Sequence, residues 1–97
     1  MKSHYSEFVW HCMRFYARHS KPEFSSPASR WNWEVCENVL KEFTEEERKI
    51  LLFLFRERDT LSDNIYRIST ERHIKQKQIW GLIERFEKRF AEKRWLI

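Results

Sequence analysis

The chain is expected to be all-α, with about five helices, and three observations carry that expectation. It holds one Gly and two Pro in 97 residues, so few positions can take the positive-φ turns that hairpins need. Leu, Glu, Lys and Arg, which favour helices, are plentiful. Apolar residues recur at spacings of three and four between the breakers. Apolar types make up 41% of the chain and aromatics 16%, ample for one core and too much for disorder. A second independent core is not expected at this length, so residues 1–97 read as a single domain.

The first helix is expected from Ser3 to His19, with Tyr5, Phe8, Val9, Cys12, Phe15 and Tyr16 on one stripe. Residues 20–29 contain Pro22, Pro27 and four Ser and read as the linker of an N-terminal helical pair spanning 1–43. Ser29 is the expected N-cap of the second helix, whose inward face would be Trp31 or Asn32, then Val35, Cys36, Val39, Leu40 and Phe43. Thr44-Glu45-Glu46-Glu47 has the form of a capping box, so a third helix starts there. Ile50 to Phe55 make that helix apolar nearly all round, and it is expected to run through the middle of the fold. A fourth helix can begin at Ser62. A fifth, from about Lys75 to Arg94, carries Ile79, Leu82, Ile83, Phe86 and Phe90 on one stripe.

Charge is unevenly spread. Residues 1–43 hold six Lys/Arg against five acids, residues 44–71 five against seven, and residues 72–97 eight against three, or +1, −2 and +5. The positive field at the C-terminal end suits an anionic partner, nucleic acid first. The longest apolar run, Ile50–Phe55, is far below the roughly 20 residues a bilayer span needs, and the N-terminal residues lack the apolar core of a signal peptide. No membrane partner is expected, and the expected location is the cytoplasm. There Cys12 and Cys36 would be free thiols acting as small buried hydrophobes.

A helix-turn-helix packs two short helices against a third at a steep angle, which requires apolar residues at fixed offsets and a small residue where the helices cross. Ile68, small Ser69, Ile74 after the turn, then Ile79 and Leu82 meet those offsets. From Phe43 to Phe90 the chain resembles the DNA-binding fourth conserved region of bacterial sigma factors and the small sigma-like regulators of bacteria and their mobile elements. An acid-rich cap opening an apolar helix is matched by Thr44-Glu45-Glu46-Glu47-Arg48-Lys49-Ile50-Leu51. The family's Ile-Ala-x-x-Leu-Gly-Ile-Ser-x-x-x-Val pattern is met by Ile68-Ser69-Thr70-Glu71-Arg72-His73-Ile74-Lys75-Gln76-Lys77-Gln78-Ile79. Arg72 departs from it where the family has an apolar residue, a space that Ile65 or Tyr66 could fill, and His73 departs where the family has Gly.

The resemblance implies that residues 44–97 form a trihelical helix-turn-helix unit that binds double-stranded DNA and regulates transcription, with RNA polymerase as a further partner. It implies that Lys75, Gln76, Lys77 and Trp80 read bases in the major groove. Gln suits adenine, Lys suits guanine, and Trp suits a thymine methyl or the sugar edge. Arg72, Arg85, Lys88 and Arg89 would hold phosphates, which positions the protein without reading sequence.

Each of these residues also has a plainer reading. The basic residues of the last helix can be a solvated face with Glu84 and Lys88 as an i, i+4 pair, and Trp80 can be core. Trp31 and Trp33 lie on nearly opposite sides of a helix, so one is expected inward and the other against the linker or a partner. His4, His11, His19 and His73 with Cys12 and Cys36 lack the close spacing of structural zinc sites, so neither metal nor cofactor is expected. Glu45, Glu46 and Glu47 diverge by about 100° per residue and are explained by capping. The sequence holds no Gly-rich phosphate loop, nucleophile elbow or Ser-His-Asp order, so an enzyme is not expected. The alternative to DNA binding is a helical protein-interaction module, which an exposed patch at Trp10, Phe24 or Trp95 would favour.

Overall fold

A computed structural model describes residues 3–20 and 23–97, and the fold is all-α as the sequence predicts. Among the described residues five helices run in chain order: α1 Ser6–Arg18, α2 Pro27–Leu40, α3 Glu45–Arg56, α4 Leu61–Arg72 and α5 Gln76–Lys93. Lys21 and Pro22 of the predicted linker lie outside the described residues, as do Met1 and Lys2.

Helices α2, α3 and α4 start where a side chain can accept from an orphan N–H group. Ser26 caps α2, not Ser29: its Oγ accepts from the Ser29 N–H at 3.2 Å. Pro27 then takes the first helical position, where its missing N–H costs nothing and its fixed φ is already helical, which moves the start ahead of the predicted cap. Thr44 forms the predicted capping box, with Glu47 N–H donating to Thr44 Oγ1 at 3.2 Å and Thr44 N–H to Glu47 Oε1 at 2.9 Å. Helix α4 begins at Leu61, one residue ahead of expectation, because Thr60 Oγ1 accepts from the Asp63 N–H at 3.2 Å. At α5 the Lys75 N–H donates to Gln78 Oε1 at 3.4 Å and the Lys75 carbonyl accepts from the Gln78 N–H at 2.9 Å, while the Lys75 side chain has no oxygen to cap the first turn.

Helix α5 packs on each of the other four helices. Helix α3, expected as the central one, packs on α1, α4 and α5. Its Ile50, Leu51, Leu54 and Phe55 are buried, but Leu52 and Phe53 are only half-buried, and the Arg67 guanidinium lies over the Phe53 ring at 5.2 Å. Helix α5 is the longer of the two, and its stripe of Ile79, Ile83, Phe86 and Phe90 is enclosed as fully as Leu51 and Leu54 of α3. In α1 the inward line is Ser6, Val9, Cys12 and Met13, so Phe8 of the predicted stripe turns outward and Met13 takes its place. On α2, Val35, Cys36, Val39 and Leu40 are buried as expected, and Phe43 is buried beyond the helix end. Cys12 and Cys36 are free and buried, and burial pushes the Cys12 thiol up to about 11.

Polar groups close the helix ends. Arg18 donates from Nε to Arg56 O and from Nη2 to Glu57 O, both at 3.2 Å, filling carbonyls left open at the end of α3. Buried Asn64 donates from Nδ2 to Leu54 O at 3.0 Å and to Asp59 O at 3.3 Å, tying the α3–α4 connection to both helices.

Leu51 is fully enclosed and Leu54 nearly so. Leu51→Ala or Leu54→Ala is expected to cost about 2–5 kcal/mol, through lost transfer energy and the cavity left behind. Chemical denaturation should register this as a clearly lower midpoint; an unchanged midpoint would contradict the packing described for α3.

Candidate nucleic-acid interface

Helix α4 ends on a left-handed residue. His73 has φ 55° and ψ 43°, and its N–H donates to Ser69 O. The Ile74 N–H reaches the same carbonyl at 3.2 Å, and Ser69 Oγ donates to Ile74 O at 2.6 Å. These bonds close a tight Schellman-type turn and hold half-buried Ile74 against the core before α5 begins. The small side chain at Ser69 is therefore also a polar clamp on the turn. Ile65 is buried beside it, whereas Tyr66 is 63% exposed, so of the two only Ile65 can supply the apolar volume absent at Arg72. Helices α3, α4 and α5 pack on one another pairwise.

The four residues assigned to base reading divide into two kinds. Lys75, Gln76 and Lys77 are exposed at the start of α5, and among the described residues no carboxylate pairs with either lysine. Trp80 is half-buried against the core, its ring 6.4 Å from that of Trp10. Trp80 shares the edge of the buried stripe, so packing on α1 occupies much of its surface.

The four residues assigned to phosphates divide as well. Lys88 is exposed and has no acid partner among the described residues. The three arginines each meet an acid across the fold. Arg72 Nη1 lies 3.2 Å from Glu46 Oε1, and Arg85 Nη2 lies 3.0 Å from Glu47 Oε1 with its guanidinium 4.3 Å from the Phe43 ring centre. Arg89 grips Glu42 with two nitrogens at 2.7 and 3.1 Å and gives the third to Glu92 at 3.0 Å. Lys93 adds a contact to Glu42 at 3.4 Å. The Arg89 hydrogen bonds hold Glu42 below the usual carboxylate range, and the Thr44 N–H with Arg85 does the same for Glu47. The sequence explains Glu46 and Glu47 as part of the capping segment and gives Glu42 no role. Their arginine partners lie 26 to 47 residues away, a pairing that no local pattern reveals.

Glu87 was missed outright, although it stands four residues after Ile83 and three before Phe90, on the apolar stripe. It is buried, accepting from Trp10 Nε1 at 2.5 Å and from Ser6 Oγ at 3.1 Å, and so ties the start of α1 to α5. Burial raises its carboxyl above the ordinary range; the two donors oppose that rise and nearby Glu84 adds to it.

A second surface forms at the other end of α5. The backbone closes on another left-handed residue, Trp95 with φ 63°, while Leu96 N–H donates to Ala91 O at 2.8 Å. Trp95 is 83% exposed, its ring edge-on to Trp31 at 5.8 Å. Arg94 lies 3.7 Å over the Trp31 ring, and its Nε donates to Asn32 Oδ1 at 2.7 Å. Trp31 thus turns outward instead of into the core, and half-buried Trp33 packs on Phe15, Tyr16 and the linker's Phe24. Among the described residues no three His, Cys, Asp or Glu side chains come together as a metal would require, and no helix is long and apolar enough to cross a membrane.

The buried carboxyl makes a pH signature. A raised folded-state pKa favours the fold below the unfolded value, and that contribution is lost as pH rises through the folded value; Glu42 and Glu47, lowered, act in the opposite sense and lose theirs as pH falls. Glu87→Gln keeps an acceptor for Trp10, and its amide can donate to Ser6 once that hydroxyl turns. The variant's melting temperature should therefore gain on wild type as pH rises from about 4 to about 8. A difference constant across that range would contradict the assignment. Compared with known proteins, the chain matches no family model, no curated protein and no solved structure, so the reading of these surfaces rests on its own residues.

Proposed function

We propose that the chain binds duplex DNA as a sigma-like transcription regulator, with α4, the His73 turn and α5 acting as a helix-turn-helix. The observation that carries this reading is the exposed start of α5, where Lys75, Gln76 and Lys77 stand clear of acids directly after a rigid turn. Its first-turn N–H groups have no side-chain cap, which suits an approaching phosphate. The left-handed turn residue supports the same reading. His73 adopts the conformation that glycine takes without penalty, at the position where the sigma-like pattern has Gly.

Gln76 and the two lysines read base edges, while Trp80, held by Trp10, offers at most its rim to a sugar or methyl. Arg72 and Arg85 each spend one nitrogen on an acid and are 40% and 52% exposed, so each keeps donors for phosphate, and Lys88 keeps all of its own. Arg89 has all three nitrogens engaged and serves as a clamp on the α2–α3 corner.

A second reading, docking on a protein such as RNA polymerase, is favoured by the exposed Trp95 and its Trp31 and Arg94 neighbours. The two readings are compatible. An 18-residue helix is about 27 Å long, so the two surfaces occupy opposite ends of α5.

Fluorescence anisotropy on labelled duplexes over a salt series tests the DNA reading, because each neutralised phosphate releases counterions. Lys88→Ala should weaken binding to every sequence and flatten the salt slope by about one contact. Gln76→Ala should cost about 1–3 kcal/mol on the preferred sequence only. Glu46→Gln should release Arg72 and tighten binding. Absence of binding to any duplex at low salt would remove DNA from the proposal and leave the protein-docking surface.

A further inference from the structure

We infer that Gly81 is the point at which duplex DNA comes closest to α5, a bare spot on the helix backbone that sets how deeply α5 seats; this rests on the DNA-binding reading above. Gly81 is the chain's one glycine and lies inside the unbroken helix Gln76–Lys93. It has no positive φ, so no turn demands it. A Cβ built there meets nothing within 4 Å, so no neighbour in the fold needs the side chain to be missing. Mid-helix glycine is destabilising relative to alanine, through backbone entropy. The fold therefore bears a cost at Gly81 for which its own packing gives no return.

The surroundings indicate what the gap admits. At 100° per residue Gly81 falls opposite the buried stripe of Ile79, Ile83, Phe86 and Phe90, at the crest of the exposed face. Lys77 and Gln78 precede it by one turn, Glu84 and Arg85 follow by one turn, and Lys88 by two, all exposed. Three of those five side chains are cationic and one is acidic, so the ring favours an anionic partner. Long side chains around a bare centre can reach phosphates on either side while a groove edge settles on the backbone between them. Any side chain at Gly81 would stand at the first point of contact.

The test uses the whole chain as wild type, Gly81→Ala and Gly81→Gln, with melting curves and anisotropy on a fluorescein-labelled random-sequence duplex at low salt. Gly81→Ala should raise the melting temperature by about 4–8 °C. It should nevertheless weaken DNA binding by about tenfold, and Gly81→Gln should weaken it further. A more stable protein that binds worse is the signature, since a purely structural glycine would move both quantities together. If both variants bind as tightly as wild type, the role of Gly81 is refuted while DNA binding stands. If Gly81→Ala melts lower than wild type, the glycine serves the fold and the inference fails. If wild type binds no duplex, both fail together.

Discussion

Burial of one stripe on α5 is the constraint from which the other features follow. Ile79, Ile83, Phe86 and Phe90 are enclosed, and α5 packs on each of the other four helices. Removing that apolar surface from water is the main favourable term available to so small a chain. Once the stripe is inside, the rotation of α5 about its axis is set. Lys77, Gly81, Arg85 and Lys88 must then face solvent, and Glu87 must go in with the stripe. The outer face is thus a consequence of the inner one.

Buried Glu87 and the exposed arginines answer two different demands. Glu87 is enclosed, so its carboxylate has to be satisfied by Ser6 and Trp10, and those bonds fix where α1 begins relative to α5. Arg72, Arg85 and Arg89 are about half-exposed, and ion pairs that water reaches contribute little to stability individually. Their effect is on placement, since Glu42, Glu46 and Glu47 hold the α2–α3 corner against α4 and α5. The acids also lie where a phosphate would compete for Arg72 and Arg85. On the DNA-binding reading, the same charges that align the helices moderate affinity for the anion.

The two left-handed residues among those described mark the two ends of α5. His73 and Trp95 both close Schellman-type turns, and neither is the glycine that such turns usually take. At His73 the turn directs Lys75, Gln76 and Lys77 outward. At Trp95 a bulky ring is held in an unfavourable backbone region, beside Trp31 and mostly in solvent. The chain's glycine lies between them on the exposed face, where no turn requires it.

Much of the architecture was legible in the sequence, because it depends on neighbours within four residues. The scarcity of Gly and Pro, the three-and-four spacing, the Thr44–Glu47 capping box and the stripe of α5 are local signals, and each corresponds to what the fold contains, except that Leu82 of the expected stripe is only half-buried. Local chemistry was also present at Ser26–Pro27 and Thr60, where the nearest favourable cap moved the helix start from the expected residue. The rotation of α1, which buries Met13 and exposes Phe8, was not legible, since an all-round aromatic helix chooses its inner face only when it meets its partners. Nor was the candidate interface complete. The sequence by itself determined which residues carry charge and which segment would present Lys75, Gln76 and Lys77. Only the tertiary structure decided that Arg89 is fully engaged with acids, that Trp80 leans on Trp10 and that Glu87 is buried, because these outcomes depend on contacts with residues far away in the chain.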